Sequence, residues 1–324
     1  MPIDPATATK MAAYVGGAFA MGLGAIGAAT GEGYTASRAS EAIARGSEHS
    51  GDIIKNMLVG QAISESASIF SLVVAILLLF VEPAEPSFVK AAALFGAGLC
   101  MGFGAIGSGI GAGLPAGGSC LAISYQPAVS GRLTTNMLIG TAVCQTPAIF
   151  AMVVALLLLF MEIGQGATSP AWAAMIGAGL STGLAAIGSG YGGGMAAAAS
   201  CEGVGRHPDT SAQVTTTMLV GQAVAQTPSV FGLLVSFILM FKTFPENPAL
   251  SASVGLLSAG LCTGLGGIGP GIGNGLVAEG AVRWVARNVE CAGDLMRVML
   301  VGQAVSQSTA IYAMVVSLVL IFVV

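Results

Sequence analysis

The chain has 324 residues, of which 55% are hydrophobic and 8% charged, and its net charge is −4. Soluble domains carry about a quarter charged residues, so this composition excludes an ordinary soluble fold and puts most of the chain in a bilayer. No basic cluster is present for nucleic acid, and 48 glycines without collagen's three-residue period point to closely packed transmembrane helices.

Eight apolar segments are predicted in chain order, at 11–44, 51–81, 87–124, 131–161, 169–204, 211–241, 249–286 and 293–323. Each exceeds the roughly 20 residues a helix needs to cross hydrocarbon. They pair into four copies of one hairpin, expected at 1–84, 85–165, 166–246 and 247–324. The first helix of each copy carries a glycine-studded run: GLGAIGAATGEG, GFGAIGSGIGAG, GLAAIGSGYGGG and GLGGIGPGIGNG. The second carries NMLVGQAISES, NMLIGTAVCQT, TMLVGQAVAQT and VMLVGQAVSQS, which put Glu65, Gln145, Gln226 and Gln307 in register at spacings of 80, 81 and 81. VEPAEPSF, EIGQGATSPA and KTFPENPA join the copies as turns outside the bilayer.

The glycine runs follow no strand, so they are not phosphate-binding turns. Small residues at such spacing let helix backbones approach closely, which predicts an inner layer of first helices and an outer layer of second helices. Cys100, Cys120, Cys144, Cys201, Cys262 and Cys291 have neither disulfide nor zinc spacing and are expected to be packing thiols. Eight of the eleven basic residues lie in or beside the hairpin loops: Arg38, Arg45, Lys55, Arg132, Arg206, Arg283, Arg287 and Arg297. Lys10, Lys90 and Lys242 lie on the other side with Asp4, Glu82, Glu85, Glu162 and Glu246. The positive-inside rule then places the loops in the cytoplasm and both termini outside.

Two carboxylates fall deep in apolar sequence, Glu32 and Glu65, both in the first hairpin. An ionisable group there is costly and points to function. At the first position the other copies carry Ala112, Gly193 and Asn274; at the second they carry Gln145, Gln226 and Gln307, which keep the shape of Glu without its charge. One ion per chain follows, not four.

The glycine-run helix, the polar loop with Arg45 and the helix G-Q-A-x-x-E-S resemble the proteolipid (the c subunit) of F-type rotary ATP synthases, four times over. G-E-G-Y around Glu32 and Q-A-I-S-E-S around Glu65 are similar to its sodium-binding branch. The resemblance implies an all-α membrane protein, eight transmembrane helices in four tandem hairpins forming part of a two-layer rotor ring. It implies no catalytic ATP site on this chain, the catalysis lying on other subunits of the ATP synthase or ATPase. It also implies one Na+ or H+ carried per chain at Glu65, with help from Glu32 and Ser66 and no organic cofactor. The expected partners are further copies in a ring of this chain alone or mixed with single-hairpin proteolipids, a stator a subunit, central-stalk subunits and lipid, in a bacterial-type energy-coupling inner membrane. Arg45, Arg206 and Arg287 match the loop arginine that meets the stalk, whereas the second copy has Tyr125-Gln126-Pro127 there.

In that family a neighbouring hairpin completes the site with a carbonyl two residues before its own equivalent position, a hydroxyl one after and a Tyr five after. Helix geometry agrees, because residue 65 points about 100° away from 66 and a hairpin cannot wrap its own carboxylate with 63, 66 and 70. The fourth copy offers Val305, Ser308, Thr309 and Tyr312, and it alone has the phenol; the others have Phe70, Phe150 and Phe231. If each copy leans on the one before it, Glu65 meets the fourth copy of an adjacent chain. Pro147 and Pro228 free the Val143 and Val224 carbonyls, so Gln226 and Gln307 are expected to lock onto them, and Gln145, facing a copy with Ala67, is expected to lack that partner. The competing reading is a stand-alone repeat-built transporter of ions or small molecules, which four copies in one orientation with a single site at a copy edge fit less well.

Overall fold

The computed structural model describes residues 4–83, 85–162, 169–245 and 250–323. Parts of the linkers between copies, with Glu246, lie outside the described residues. Among the described residues, nine α-helices form the four hairpins: α1 (Pro5–Arg45), α2 (Ser50–Phe80), α3 (Phe88–Tyr125), α4 (Ser130–Phe160), α5 (Ala171–Arg206), α6 (Ser211–Ala225), α7 (Thr227–Phe241), α8 (Leu250–Arg287) and α9 (Ala292–Val323). The outer helix of the third hairpin is the pair α6–α7, and a single 3-10 turn closes each hairpin loop. Among the described residues, eight helical stretches are long and apolar enough to span a membrane. The protein is an all-α integral membrane protein.

The helices form two layers. α1, α3, α5 and α8 pack side by side in chain order, and α2, α4 and α6–α7 each lie over the groove between their own inner helix and the next. α9 packs on α8 and on the edge of the preceding outer pair α6–α7, and among the described residues no packing interface joins α1 to α8. The result is an open arc, with one edge made by α1 and α2 and the other by α8 and α9.

Glycine sets the inner spacing. A Cβ added to Gly98 would stand 2.1 Å from the Gly16 carbonyl oxygen, and Gly179 over Gly96 and Gly260 over Gly177 repeat that distance. Between helices that are equally apolar outside, such contact supplies dispersion where the hydrophobic effect gives little. The helix ends away from the loops are tied by lysines. Lys90 Nζ donates to the Leu159 and Met161 carbonyls at 2.7 and 2.8 Å, and Lys242 Nζ donates to the Ile321 carbonyl. A cation at a helix C-terminus meets the negative end of the dipole.

Candidate ion-carrying site

The three seams between hairpins share one polar plan. At the mid-membrane position of the second helix, Gln145 Nε2 donates to the Ile63 carbonyl at 2.9 Å, and Gln226 Nε2 donates to the Val143 carbonyl. In the fourth hairpin the inner helix takes over: Asn274 Nδ2 donates to the Val224 carbonyl at 3.4 Å and to Gln307 Oε1 at 2.7 Å. In every case the later hairpin reaches for the carbonyl two residues before the equivalent position of the earlier one. Each copy therefore leans on the preceding copy.

Two expectations change here. Gln145 does have its carbonyl, although Ala67 keeps the N–H that Pro147 and Pro228 lack. A carbonyl oxygen has two lone pairs, and Ile63 O also accepts from Ser66 Oγ at 2.6 Å. Gln307 does not touch Val224 directly, because Asn274 stands between them, and the buried Gln307 Nε2 has no partner among the described residues.

The first hairpin has no predecessor within the chain. Glu65 is exposed and Glu32 partly exposed on the α1–α2 edge, and Ser66 Oγ points back to its own helix. The opposite edge carries Val305, 69% exposed, and Tyr312, 65% exposed. Beside them Ser308 Oγ donates to the Val305 carbonyl at 2.7 Å, and Thr309 Oγ1 donates to Ser306 O at 3.1 Å. The acidic pair and the Val305–Tyr312 group thus occupy opposite ends of the arc, at the level of the internal seams.

Sequence reasoning missed two further ties. Gln222 Nε2 donates at 3.0 Å both to Gly193 O of its own hairpin and to Gly140 O of the previous one. Gln303 Nε2 does the same with Asn274 O and Gly221 O, at 3.0 and 2.9 Å. Nearer the loops, Thr134 Oγ1 donates to Asn56 Oδ1 at 2.9 Å and Thr215 Oγ1 to Asn136 Oδ1 at 2.8 Å. The signal for the first tie was the recurrent G-Q-A ahead of the carboxylate position. At the loops, Arg45 pairs with Glu41, Arg206 lies 3.9 Å from Glu202, and the Arg287 guanidinium sits 5.0 Å from the Trp284 ring centre. Glu279 and Arg283 form a local pair at 2.6 Å.

Comparison with known proteins gives the same repeat. The sequence profile of the ATP synthase C-subunit family matches residues 15–78, 95–158, 176–239 and 257–320, once per hairpin. The K subunit of the A-type ATP synthase of Methanocaldococcus jannaschii is 30% identical over 203 residues, covering 61% of this chain and 83% of that protein. The ATP synthase c subunit of Dehalococcoides mccartyi is 50% identical over 68 residues, 21% of this chain and 90% of its own. That of Prochlorococcus marinus is 42% identical over 74 residues, 23% of this chain and 91% of its own. With four matches end to end, the chain belongs to the ATP synthase C-subunit family, as a fusion of four of its hairpins.

Proposed function

We propose that this chain is the ion-carrying rotor component of a rotary ATP synthase or ATPase, and that its carrier site forms between copies. Glu65 holds the cation, assisted by Glu32 and Ser66. The preceding copy supplies Val305 O, the Ser308 hydroxyl, Thr309 and Tyr312. Copies joined head to tail close the open arc into a ring, alone or with single-hairpin proteolipids. The observation that carries this reading is the common direction of the three internal seams. Continued past the end of the arc, that direction sets the first hairpin of one chain on the fourth hairpin of another.

The donor set suits Na+. A carbonyl, a hydroxyl and two carboxylates are hard oxygens, and Ser308 already gives its proton to Val305 O, which leaves its own lone pairs free for a cation. With both carboxyls beside one monovalent ion, one of them keeps a proton. Rotation carries the loaded site through lipid to a stator a subunit, where the ion leaves. Gln145, Gln226 and Gln307 pass the stator uncharged. The loops, with Arg45, Arg206 and Arg287, face the cytoplasm and meet the central stalk, and ATP is handled on other subunits.

Carbodiimide modification of the assembled complex tests this. Glu65 is expected to be labelled, in one hairpin of four, and Na+ at neutral pH is expected to protect it. Labelling that ignores Na+ at every pH would assign the site to protons, and a Glu65 that never reacts would remove the rotor reading.

A further inference from the structure

We infer that Gln61 bridges two copies of the chain and positions Glu65: its amide, bound to the Glu32 carbonyl in its own hairpin, gives its second N–H to the Gly302 carbonyl of the copy it leans on. The inference rests on the head-to-tail order proposed above. Gln222 and Gln303 establish the pattern, since each amide joins three helices through one carbonyl of its own inner helix and one of the preceding outer helix. Both are fully buried. Gln61 has the first half of that arrangement, Nε2 to Glu32 O at 3.2 Å, and is only partly buried because it lies on the open edge.

The acceptor follows from the register. The carbonyls taken by Gln222 and Gln303 belong to Gly140 and Gly221, each immediately before the G-Q-A glutamine position of the earlier hairpin. The equivalent residue of the fourth hairpin is Gly302, on the other open edge. Glycine is needed there because the next inner helix comes close: a Cβ on Gly140 would stand 2.7 Å from Ala197 Cβ, and on Gly221 2.5 Å from Ala278 Cβ. The first hairpin has Ala36 at the corresponding place, so a second copy presents to Gly302 the same small surface. Gln61 lies one helical turn before Glu65 on the same face. A tie at Gln61 fixes the register of α2 against α9 of the other copy, and with it the distance from Glu65 to Val305 O. Hairpin 2 has Thr141 instead, which turns to its own helix at Met137 O, 2.8 Å away. Its seam with hairpin 1 packs without the tie, so the tie serves position, not assembly.

The test uses the full chain in its assembled complex, with Cys291→Ser to remove the exposed thiol. First, Ile54→Cys with Val298→Cys reports the order of copies. These positions match Thr134 and Asn56, whose side chains touch in the first seam, so oxidation is expected to give a ladder of covalently linked chains. No ladder overturns the head-to-tail order and the bridge with it. Second, Gln61→Thr, which installs the side chain hairpin 2 already tolerates, is compared with Gln222→Leu at an internal seam. The Na+ concentration that half-protects Glu65 from carbodiimide is expected to rise about five- to tenfold in the Gln61 variant, the size of one lost hydrogen bond. The pH of half-labelling without Na+ is expected to shift too, while the Gln222 variant leaves both unchanged. A ladder together with an unmoved Gln61 variant, or an equal shift from Gln222, overturns the bridge alone.

Discussion

At position 226 an amide N–H points at the Val143 carbonyl; at position 65 a carboxylate occupies the same place on its helix. The amide satisfies a neighbouring carbonyl by itself, whereas the carboxylate repels it unless a proton or a cation lies between. Gln226→Glu should therefore lose about 1–3 kcal/mol of stability, the cost of unpairing buried polar groups. It should also create a second carbodiimide-reactive carboxyl. Na+ at the level that protects Glu65 should not protect it, because Gly193 replaces Glu32 and Phe150 replaces Tyr312 at that seam. Full protection there would mean that the partners of Glu65 are not what select the ion. Conversely, Tyr312→Phe and Ser308→Ala should each raise the Na+ needed to protect Glu65, whereas Phe150→Tyr should leave it unchanged. An effect from Phe150 in place of Tyr312 would assign the site to the wrong seam. The glutamines' reach was only half legible in the sequence. Proline explained why Val143 and Val224 have free carbonyls, but Ile63 O accepts from Gln145 without one, because a helical carbonyl retains a second lone pair. Asn274 was legible as an outlier at the Glu32 position, yet its bond to Gln307 depends on how α8 and α9 face each other.

Among the helices, the apolar runs and small-residue patterns predict all four hairpins with ends close to those observed, since an apolar run long enough to span has few other folds available. α1 starts earlier than its apolar run: Asp4 caps Thr7 N at 3.2 Å and Pro5 takes the first turn, so helix begins on polar residues. The outer helix of hairpin 3 is interrupted at Gln226, next to Pro228. The same Thr-Pro pair at Thr146 and Pro147 leaves α4 continuous, so the pair alone does not decide the matter. What differs is visible at the acceptor: Val224 O is held by Thr227 Oγ1 at 2.7 Å and by Asn274 only at 3.4 Å. Pro228→Ala restores an N–H for that carbonyl and should merge α6 with α7, gaining up to about 3 kcal/mol. Slower amide hydrogen exchange from Gln226 to Ser229 and a higher melting temperature are the expected readings; exchange that stays fast would put the cause of the break in packing against α5 and α8.

Across the whole molecule, two of the glycine contacts that space the inner layer are not available where copies join. Inside the chain, Gly98, Gly179 and Gly260 each ride on a carbonyl of the previous inner helix, and eleven residues on a Cβ at Gly109, Gly190 or Gly271 would stand 2.6, 2.5 or 2.4 Å from its backbone. The first hairpin has Ala18 and Ala29 at these two positions. Head-to-tail order sets them against Ser258 and Gly269 of the other copy. A methyl group cannot occupy the first contact, since a Cβ at Gly98 already falls 2.1 Å from an oxygen. Either the backbones separate or the helix rotates, and separation by even half an ångström to one ångström forfeits about a quarter to a half of the dispersion well per atom pair. The inner layer should thus carry one wide gap per chain, at the seam that also holds Glu65, while the outer layer there is closed by Ile54, Val298 and the ion site. The assembled ring should repeat by chain and not by hairpin. An electron cryo-microscopy map of the complex should show α8 and the next copy's α1 farther apart than α1 and α3, α3 and α5, or α5 and α8. Ala18→Gly with Ala29→Gly should shrink that gap and raise the temperature at which the ring separates into chains. Even spacing of all inner helices in the unaltered ring would mean that the two methyl groups are accommodated by rotation of α1, and the double substitution should then leave both spacing and dissociation temperature where they were.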